Sequence, residues 1–500
     1  ATVRYAESID PGTMRKHLSI LASDSLEGRE TGQKGLKMAG DYITKILGNI
    51  GIETVDGQSS YLLPIAFTFS SWTKNELSIN GEKYRHLWDY LAFQDKNAEM
   101  ASLMAKEVLF LGYGIDDPAY SDYKKVNVKD KVILINRGEP MINDSISLLT
   151  KSTQRSDWSD ADMSKKLKIA KEKGVKLVLI IENDIKKQLE DNRRKLLGAF
   201  AELGNKKDVA QPFANHVYIS STIAKVIIGK NEDKIIKARK NIAKGKPANV
   251  KLAAEVTVTL LKEVKVLEGN NIMGMIKGKT KPDEYVIVSA HYDHIGMRGD
   301  EVFNGANDNG SGSTTLLELA KVCQQAVFEG NRPDRSILFL WFCGEEKGLL
   351  GSQYYSENPA VPLANTMVNI NIDMVGRRDE KYSTGEDFIY VIGSDRLSSD
   401  LHRINEDMNN KYSHFILDYT YNSETDPNRY YYRSDHYNFA RKGIPAIFFF
   451  NGTNPDYHRT TDDVEKIDFD LMARTGKMIF HTMWALANHP ERIVVDGEIR

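Results

Sequence analysis

The chain has 500 residues, 41% hydrophobic and 27% charged, with a net charge of −2. Those values suit a globular protein of two domains and give no reason to expect nucleic acid or an anionic membrane as a partner. No apolar run approaches the ~18 residues of a membrane span. The two cysteines, Cys323 and Cys343, fall on a predicted helix and a predicted strand, so buried free thiols are expected rather than a disulfide framework.

Residues 11–51 read as two helices. Leu18 and Leu21 share a face, Leu36, Ala39, Ile43, Ile46 and Ile50 keep a three-four spacing, and Gly51 is a natural stop. The polar, glycine-containing loop between them, 26–32, could border a site, but a plain connection is the first reading. From about Ser70 short strands replace helices, at 108–111, 132–135, 175–181 and 216–220, with one helix at 163–173. Lys165, Lys166, Lys168, Lys171 and Lys173 read as a solvated face. This region carries no metal-ligand spacing and no nucleophile arrangement, so it reads as an inserted non-catalytic domain over residues 76–260. Residues 1–75 and 261–500 then form the catalytic part.

Strand-like runs resume at 271–276 and 285–290, with a turn between them, and continue at 336–343, 367–372, 388–392 and 445–450. Leu316, Leu319, Ala320, Cys323 and Val327 mark one helix face, and 469–487 is helical. Reactive groups follow the ends of these strands, where open α/β sheets place their sites. His291 and Asp293 close one run, Glu345 and Glu346 another, Asp373 a third, and His458 lies a short loop beyond a fourth. A Gly/Asn-rich loop between the first two carries Asp308. Imidazole and carboxylate are zinc donors. Asp293 stands two residues from His291, near enough to orient its ring. Adjacent carboxylates diverge, so one of Glu345 and Glu346 can bind metal while the other acts as a base. Asp308, with two oxygens, can bridge two metals.

Taken in order, HYDH, GANDNGSG, FCGEEKGLLGS, NIDMVG, RSDHYNF and DYHRTTDD (residues 291–463) resemble the di-zinc aminopeptidases of metallopeptidase family 28, which includes glutamate carboxypeptidases. The resemblance implies a three-layer α/β/α sandwich with a mostly parallel central sheet, interrupted by a smaller β-rich protease-associated domain. It implies two zinc ions per chain. His291 and Asp373 would hold one, Glu346 and His458 the other, and Asp308 would bridge them. Glu345 would be the general base toward a metal-bridged hydroxide, and Tyr457 a donor to the oxyanion. Ser434, Asp435 and His436 match a segment near the substrate pocket, and Asp435 is expected to meet the substrate's ammonium group. Many members carry Asp-Asp where this chain has Asn307-Asp308. His294, three residues after His291, is a rival ligand. His17, His86, His216, His402, His414, His481 and His489 lack partner motifs and read as structural.

The expected activity is removal of N-terminal residues from peptides. A glutamate carboxypeptidase-like enzyme, a receptor-like relative without catalysis and a glutaminyl cyclase-like transferase are the rivals. The carboxypeptidase needs a basic cluster for the substrate carboxylate, and only Arg433 adjoins a pocket segment. Export to the periplasm or the medium is expected on the premise of a removed signal peptide, though a recombinant start would equally account for a chain opening on Ala1.

Overall fold

A computed structural model describes residues 2–207 and 209–499. The chain forms two compact units, one of Ala1–Phe67, Glu202–Gly204 and Leu267–Arg500, the other of Thr68–Ala201 and Asn205–Val266.

The first unit is built on a mixed sheet. Its strands are β1 (Val250–Ile276, of which Ile272–Ile276 pair here), β2 (Lys281–His291), β3 (Arg335–Phe342), β4 (Thr366–Ile372), β5 (Phe388–Ile392), β6 (Ile416–Asp418) and β7 (Ala446–Phe450), in the spatial order β6-β5-β7-β4-β2-β3-β1. β2 pairs in parallel with both β3 and β4, and β4 in parallel with β7. β1 and β5 join the sheet antiparallel, to β3 and β7. The central strands are continuous apolar runs, as strands covered on both faces must be. Ile287, Leu338, Leu340 and Phe342 pack on one face with Tyr355 and Phe439. Trp341 points to the other, where its Nε1 donates to Ser313 O at 3.0 Å. The unit's helices include α1 (Pro11–Leu21), α2 (Lys34–Ile50), α3 (Gly312–Phe328), α4 (Leu350–Glu357), α5 (His436–Ala440) and α6 (Phe469–Ala487). α3 and α6 lie against β2, while α4 and α5, carrying Tyr355 and Phe439, cover the opposite face. Three layers result.

Local chemistry sets the element ends. Asp10 caps α1 by accepting from the Thr13 N–H at 2.6 Å, with Pro11 as the first helical residue. Gly51 ends α2 at φ 79°, a left-handed conformation that favours glycine. β2 starts inside the expected turn, at Lys281, with its register broken between Lys281 and Tyr285. Pro282, which has no N–H to give the ladder, lies in that interval. Cys323 and Cys343 are both buried free thiols.

In the second unit Met100–Phe110, Val132–Asn136, Leu177–Glu182 and His216–Ser220 pair in parallel in that order. Tyr90–Leu91 pairs antiparallel with His216–Ser220, and the first part of β1 antiparallel with Met100–Phe110. Helix Ser221–Ile228 is not evident in the sequence because its run is short and β-branched, and Glu232–Ala243 because lysines crowd its polar face. The lysine-rich helix forms at Ser164–Glu172, but not every lysine on it is solvated. Lys166 is only 2% exposed and its Nζ donates to Gly138 O. Burial lowers that amine to about 7, against the pull of Asp122 and Glu139.

Candidate metal centre

The sheet delivers the site. β2, β3 and β4 run parallel and stop level with one another, so the residues at or just past their ends, His291, Glu345, Glu346 and Asp373, arrive on one rim. Asp308 comes from the loop that leads into α3, and His458 from the loop after β7.

Two donor sets form around Asp308. On one side His291 Nε2 lies 3.4 Å from Asp308 Oδ1, 3.3 Å from Asp373 Oδ1 and 3.9 Å from Glu345 Oε2. On the other, His458 Nε2 lies 3.1 Å from Asp308 Oδ2 and 3.3 Å from Glu346 Oε1. His294 Nδ1 joins the second set, 2.9 Å from Glu346 Oε1 and 3.9 Å from Asp308 Oδ2. Within each of the groups His291–Asp308–Asp373 and His294–Asp308–Glu346, one ligand atom per residue falls within 4.8 Å of the others. The adjacent glutamates diverge, Glu345 toward the first set and Glu346 toward the second.

The electrostatics match a cation site. Burial works against the imidazolium of His291, but Asp373 and Glu345 hold it well above its usual value. Burial likewise opposes the His458 cation, yet Glu346 and Asp308 raise it to about 11. Burial and Glu346 push Asp308 upward, while hydrogen bonds from His291 and His458 bring it down to about 2. Protons on the imidazoles thus compensate a surplus of buried carboxylate. Asp373 Oδ1, Glu346 Oε1 and the ring nitrogens of His294 are buried without a well-aimed hydrogen bond. A buried polar atom in that state is costly unless something else satisfies it. These residues therefore fit divalent cation binding, with oxygen and nitrogen donors suited to zinc.

A buried scaffold fixes the donors. Asp293 accepts the N–H groups of Glu345 at 3.1 Å and Glu346 at 3.4 Å, and stands 3.6 Å from His291 Nδ1. That ring nitrogen also lies 3.1 Å from Asp293 O. Ser434 Oγ donates to Asp373 Oδ2 at 2.6 Å and accepts from Asn371 Nδ2 at 2.8 Å. Asp462 accepts from the N–H groups of Asn307 and Asp308. Asn307 Oδ1 accepts from the Gly376 N–H at 2.8 Å, which gives the uncharged residue of the Asn-Asp pair a loop-tying role.

Two expectations need correction. Asp435 and His436 do not offer themselves to a substrate, because both are wholly buried. Asp435 Oδ1 accepts from Ser352 at 2.5 Å, and burial raises the carboxyl to about 7. His436 stacks on Phe448 at 4.9 Å between ring centroids, and burial lowers it to about 3. The loop 26–32 is no mere connection. Arg29 is buried and its guanidinium donates to the carbonyls of Tyr292 at 2.9 Å, Asn304 at 2.7 Å, Gly305 at 3.0 Å and Leu21. Burial brings that cation down to about 10, with Asp293 and Asp462 opposing the fall. Asp462 and Arg29 went unnoticed because nothing local in the sequence distinguishes them. Only tertiary structure brings Arg29 to the site loops, from a stretch more than 260 residues away.

Tyr457 lies flat against His458, with ring centroids 3.9 Å apart, and its hydroxyl accepts from Arg433 Nη2 at 3.4 Å. Burial, then Asp308 and Glu346, hold its proton firmly in place. Four other arginines near the motifs are engaged: Arg377 with Asp456, Arg378 with Asp468, Arg298 with Glu30 and Arg441 with Glu357.

Residues 271–483 match the sequence profile of peptidase family M28. "Aminopeptidase YwaD" of Bacillus subtilis (strain 168) is 32% identical over 217 residues, 42% of this chain and 43% of that protein. A "probable leucine aminopeptidase" of Trichophyton verrucosum (strain HKI 0517) is 31% identical over 225 residues, 43% of this chain and 57% of that protein. The chain thus spans about half the length of the curated relatives it matches. The solved structure "Aminopeptidase from Aneurinibacillus sp. strain AM-1" shares the fold, with a TM-score of 0.58 at 20% identity over 100% of this chain and 98% of that one. Over residues 271–483, then, the chain is similar to peptidase family M28, with its candidate metal ligands at the strand ends.

Proposed function

We propose that this protein is a zinc aminopeptidase with two metal ions per chain. The observation that carries the reading is the position of Asp308, with its two oxygens directed to different imidazoles, His291 on one side and His458 on the other. Asp373 completes the first set and Glu346 the second. We assign the second histidine as His458 rather than His294, because His458 Nε2 is within 3.3 Å of both carboxylates while His294 is 3.9 Å from Asp308. His458 is also 35% exposed at its side chain, on the side from which a substrate must arrive.

Zinc held there would supply an activated water at neutral pH and polarise the scissile carbonyl. Glu345 accepts the proton of the attacking water and returns it to the leaving amine. Asp293 keeps the His291 ring in orientation and fixes the backbone that carries both glutamates. The Tyr457 hydroxyl, which keeps its proton, donates to the oxyanion. Glu345 is also a site carboxylate outside the proposed ligand set, and it meets the free α-ammonium of a peptide N-terminus. A carboxypeptidase would instead need a fork of arginines. Arg433 reaches the site through Tyr457, whereas Arg29 spends its donors on the backbone carbonyls of Tyr292, Asn304 and Gly305.

The unit of Thr68–Ala201 and Asn205–Val266, which we read as an inserted protease-associated domain, holds no metal-ligand cluster among its described residues. It is assigned to substrate choice rather than chemistry. No described helix is long and apolar enough to cross a membrane.

The reading is tested with a peptide carrying a free N-terminus and its N-acetylated form, assayed before and after chelation. Hydrolysis confined to the free peptide and abolished by chelator is expected. Rapid release of C-terminal residues from the acetylated peptide would refute the aminopeptidase assignment.

A further inference from the structure

The N-terminal segment lies outside the residues that match the family profile, yet it enters the centre. Its loop is built into place. His294 N–H donates to Arg29 O at 3.2 Å, and Arg29 in turn ties down the carbonyls of Tyr292, Asn304 and Gly305. Gly28, at φ +65°, is pressed so closely on the hairpin behind the site that a Cβ there would meet Gly296 O and Phe303 O at 2.5 Å. Three residues after Gly28 comes Thr31, which is wholly buried.

The Thr31 hydroxyl makes two hydrogen bonds, and their polarity is fixed. It accepts from the Gly344 N–H at 3.0 Å, a group that can only donate. Its own proton goes to Asp293 Oδ2 at 2.8 Å. The same carboxylate receives the N–H groups of Glu345 and Glu346 and faces His291 Nδ1. One hydroxyl thereby clamps the end of β2 to the end of β3, and does so at the residue that serves both donor sets.

We propose that Thr31 is a positioning residue of this metal centre, acting through Asp293 on His291 and on the Glu345–Glu346 backbone. The inference rests on the metal-centre reading above. Partners that orient metal ligands contribute about 10- to 100-fold in metal affinity. Thr31→Val keeps the shape and removes both hydrogen bonds, while Thr31→Ser keeps the hydroxyl.

The measurement is zinc affinity by chelator competition, alongside the thermal midpoint of each metal-free protein. Thr31→Val should bind zinc at least ~10-fold more weakly than wild type, and Thr31→Ser should restore the affinity. If Thr31→Val does not fold, Thr31→Cys, a weaker donor and acceptor of similar shape, takes its place and must weaken zinc binding in the same direction. A wild-type protein that binds zinc, with a Thr31→Val variant of unchanged affinity, overturns this inference alone, even if the variant's thermal midpoint falls. A wild-type protein that takes up no zinc overturns the centre and this inference together.

Discussion

Asp462 holds Asp308 by its main chain: the Asp462 carboxylate accepts the Asp308 N–H at 3.0 Å and leaves both Asp308 oxygens directed at the two imidazoles. It accepts the Asn307 N–H as well, and its own carbonyl accepts from Ala306 at 3.0 Å. Asp462 is only 1% exposed, so nothing else solvates those two N–H groups. Asp462→Ala should leave them buried and unpaired, at a cost of about 1–3 kcal/mol each. The expected outcome is a lower thermal midpoint together with weaker zinc binding. Unchanged zinc affinity in a chelator titration would show that the loop holds its shape without this residue.

The divergence of the paired glutamates gives them separable roles. Glu345→Gln should reduce kcat by about 10²–10⁴, the range of general base catalysis, with zinc content near wild type. Glu346→Gln should lose zinc from the second position. Elemental analysis of the two purified variants decides it, and an empty Glu345→Gln protein would reverse the assignment.

His458 and His294 compete for the same carboxylate, Glu346. The proposed geometry makes His458 the ligand. His458→Asn should lower zinc content by one equivalent, and His294→Asn should keep both. The opposite pattern would move the second ligand to His294.

The histidines also set a pH dependence. His458 is raised in the folded, metal-free chain from 6.5 to about 11 by Glu346 and Asp308, after the opposing effect of burial. A group raised on folding contributes stability that is fully present below its unfolded pKa and is lost as pH rises toward its folded one. Asp308 and Glu346 are depressed, so their contribution is constant above about pH 5. With His458 and His291 both raised, and the buried Lys166, lowered to about 7, pulling the other way, the thermal midpoint of the metal-free protein should fall between pH 7 and pH 10. Zinc needs the neutral imidazole, so its apparent affinity should rise over the same window with release of protons. Proton uptake on zinc binding, read by calorimetry in buffers of different ionisation enthalpy, would contradict the ligand set.

Much of the site was legible in the sequence because its ligands follow strands whose unbroken apolar runs declare themselves. His291, Glu345, Glu346 and Asp373 sit at or just after such runs, and the sheet brings them to one rim. The supporting residues were not legible. Thr31 and Arg29 reach the site from the other end of the chain, and Asp462 sits four residues after His458 in a polar turn with no periodicity to mark it. Asp435 was misread because a sequence carries no burial: the SDH segment lies near the ligands, but beneath them, where Ser352 takes its carboxylate. Asp435→Asn should accordingly leave KM for free-amine peptides unchanged, and a marked rise in KM would place Asp435 at the substrate after all. The lysine run of Ser164–Glu172 failed for the same reason, since composition alone does not separate Lys166 from its solvated neighbours.

The central claim is a two-metal centre with Asp308 between the ions. Zinc equivalents bound per chain, measured by elemental analysis for wild type and for Asp308→Ala while hydrolysis of an aminoacyl amide is followed in parallel, test it most directly. The account predicts close to two equivalents in the active wild type, and loss of zinc and of activity together in Asp308→Ala. A wild-type protein fully active with a single equivalent, or an Asp308→Ala protein that retains two, would contradict it.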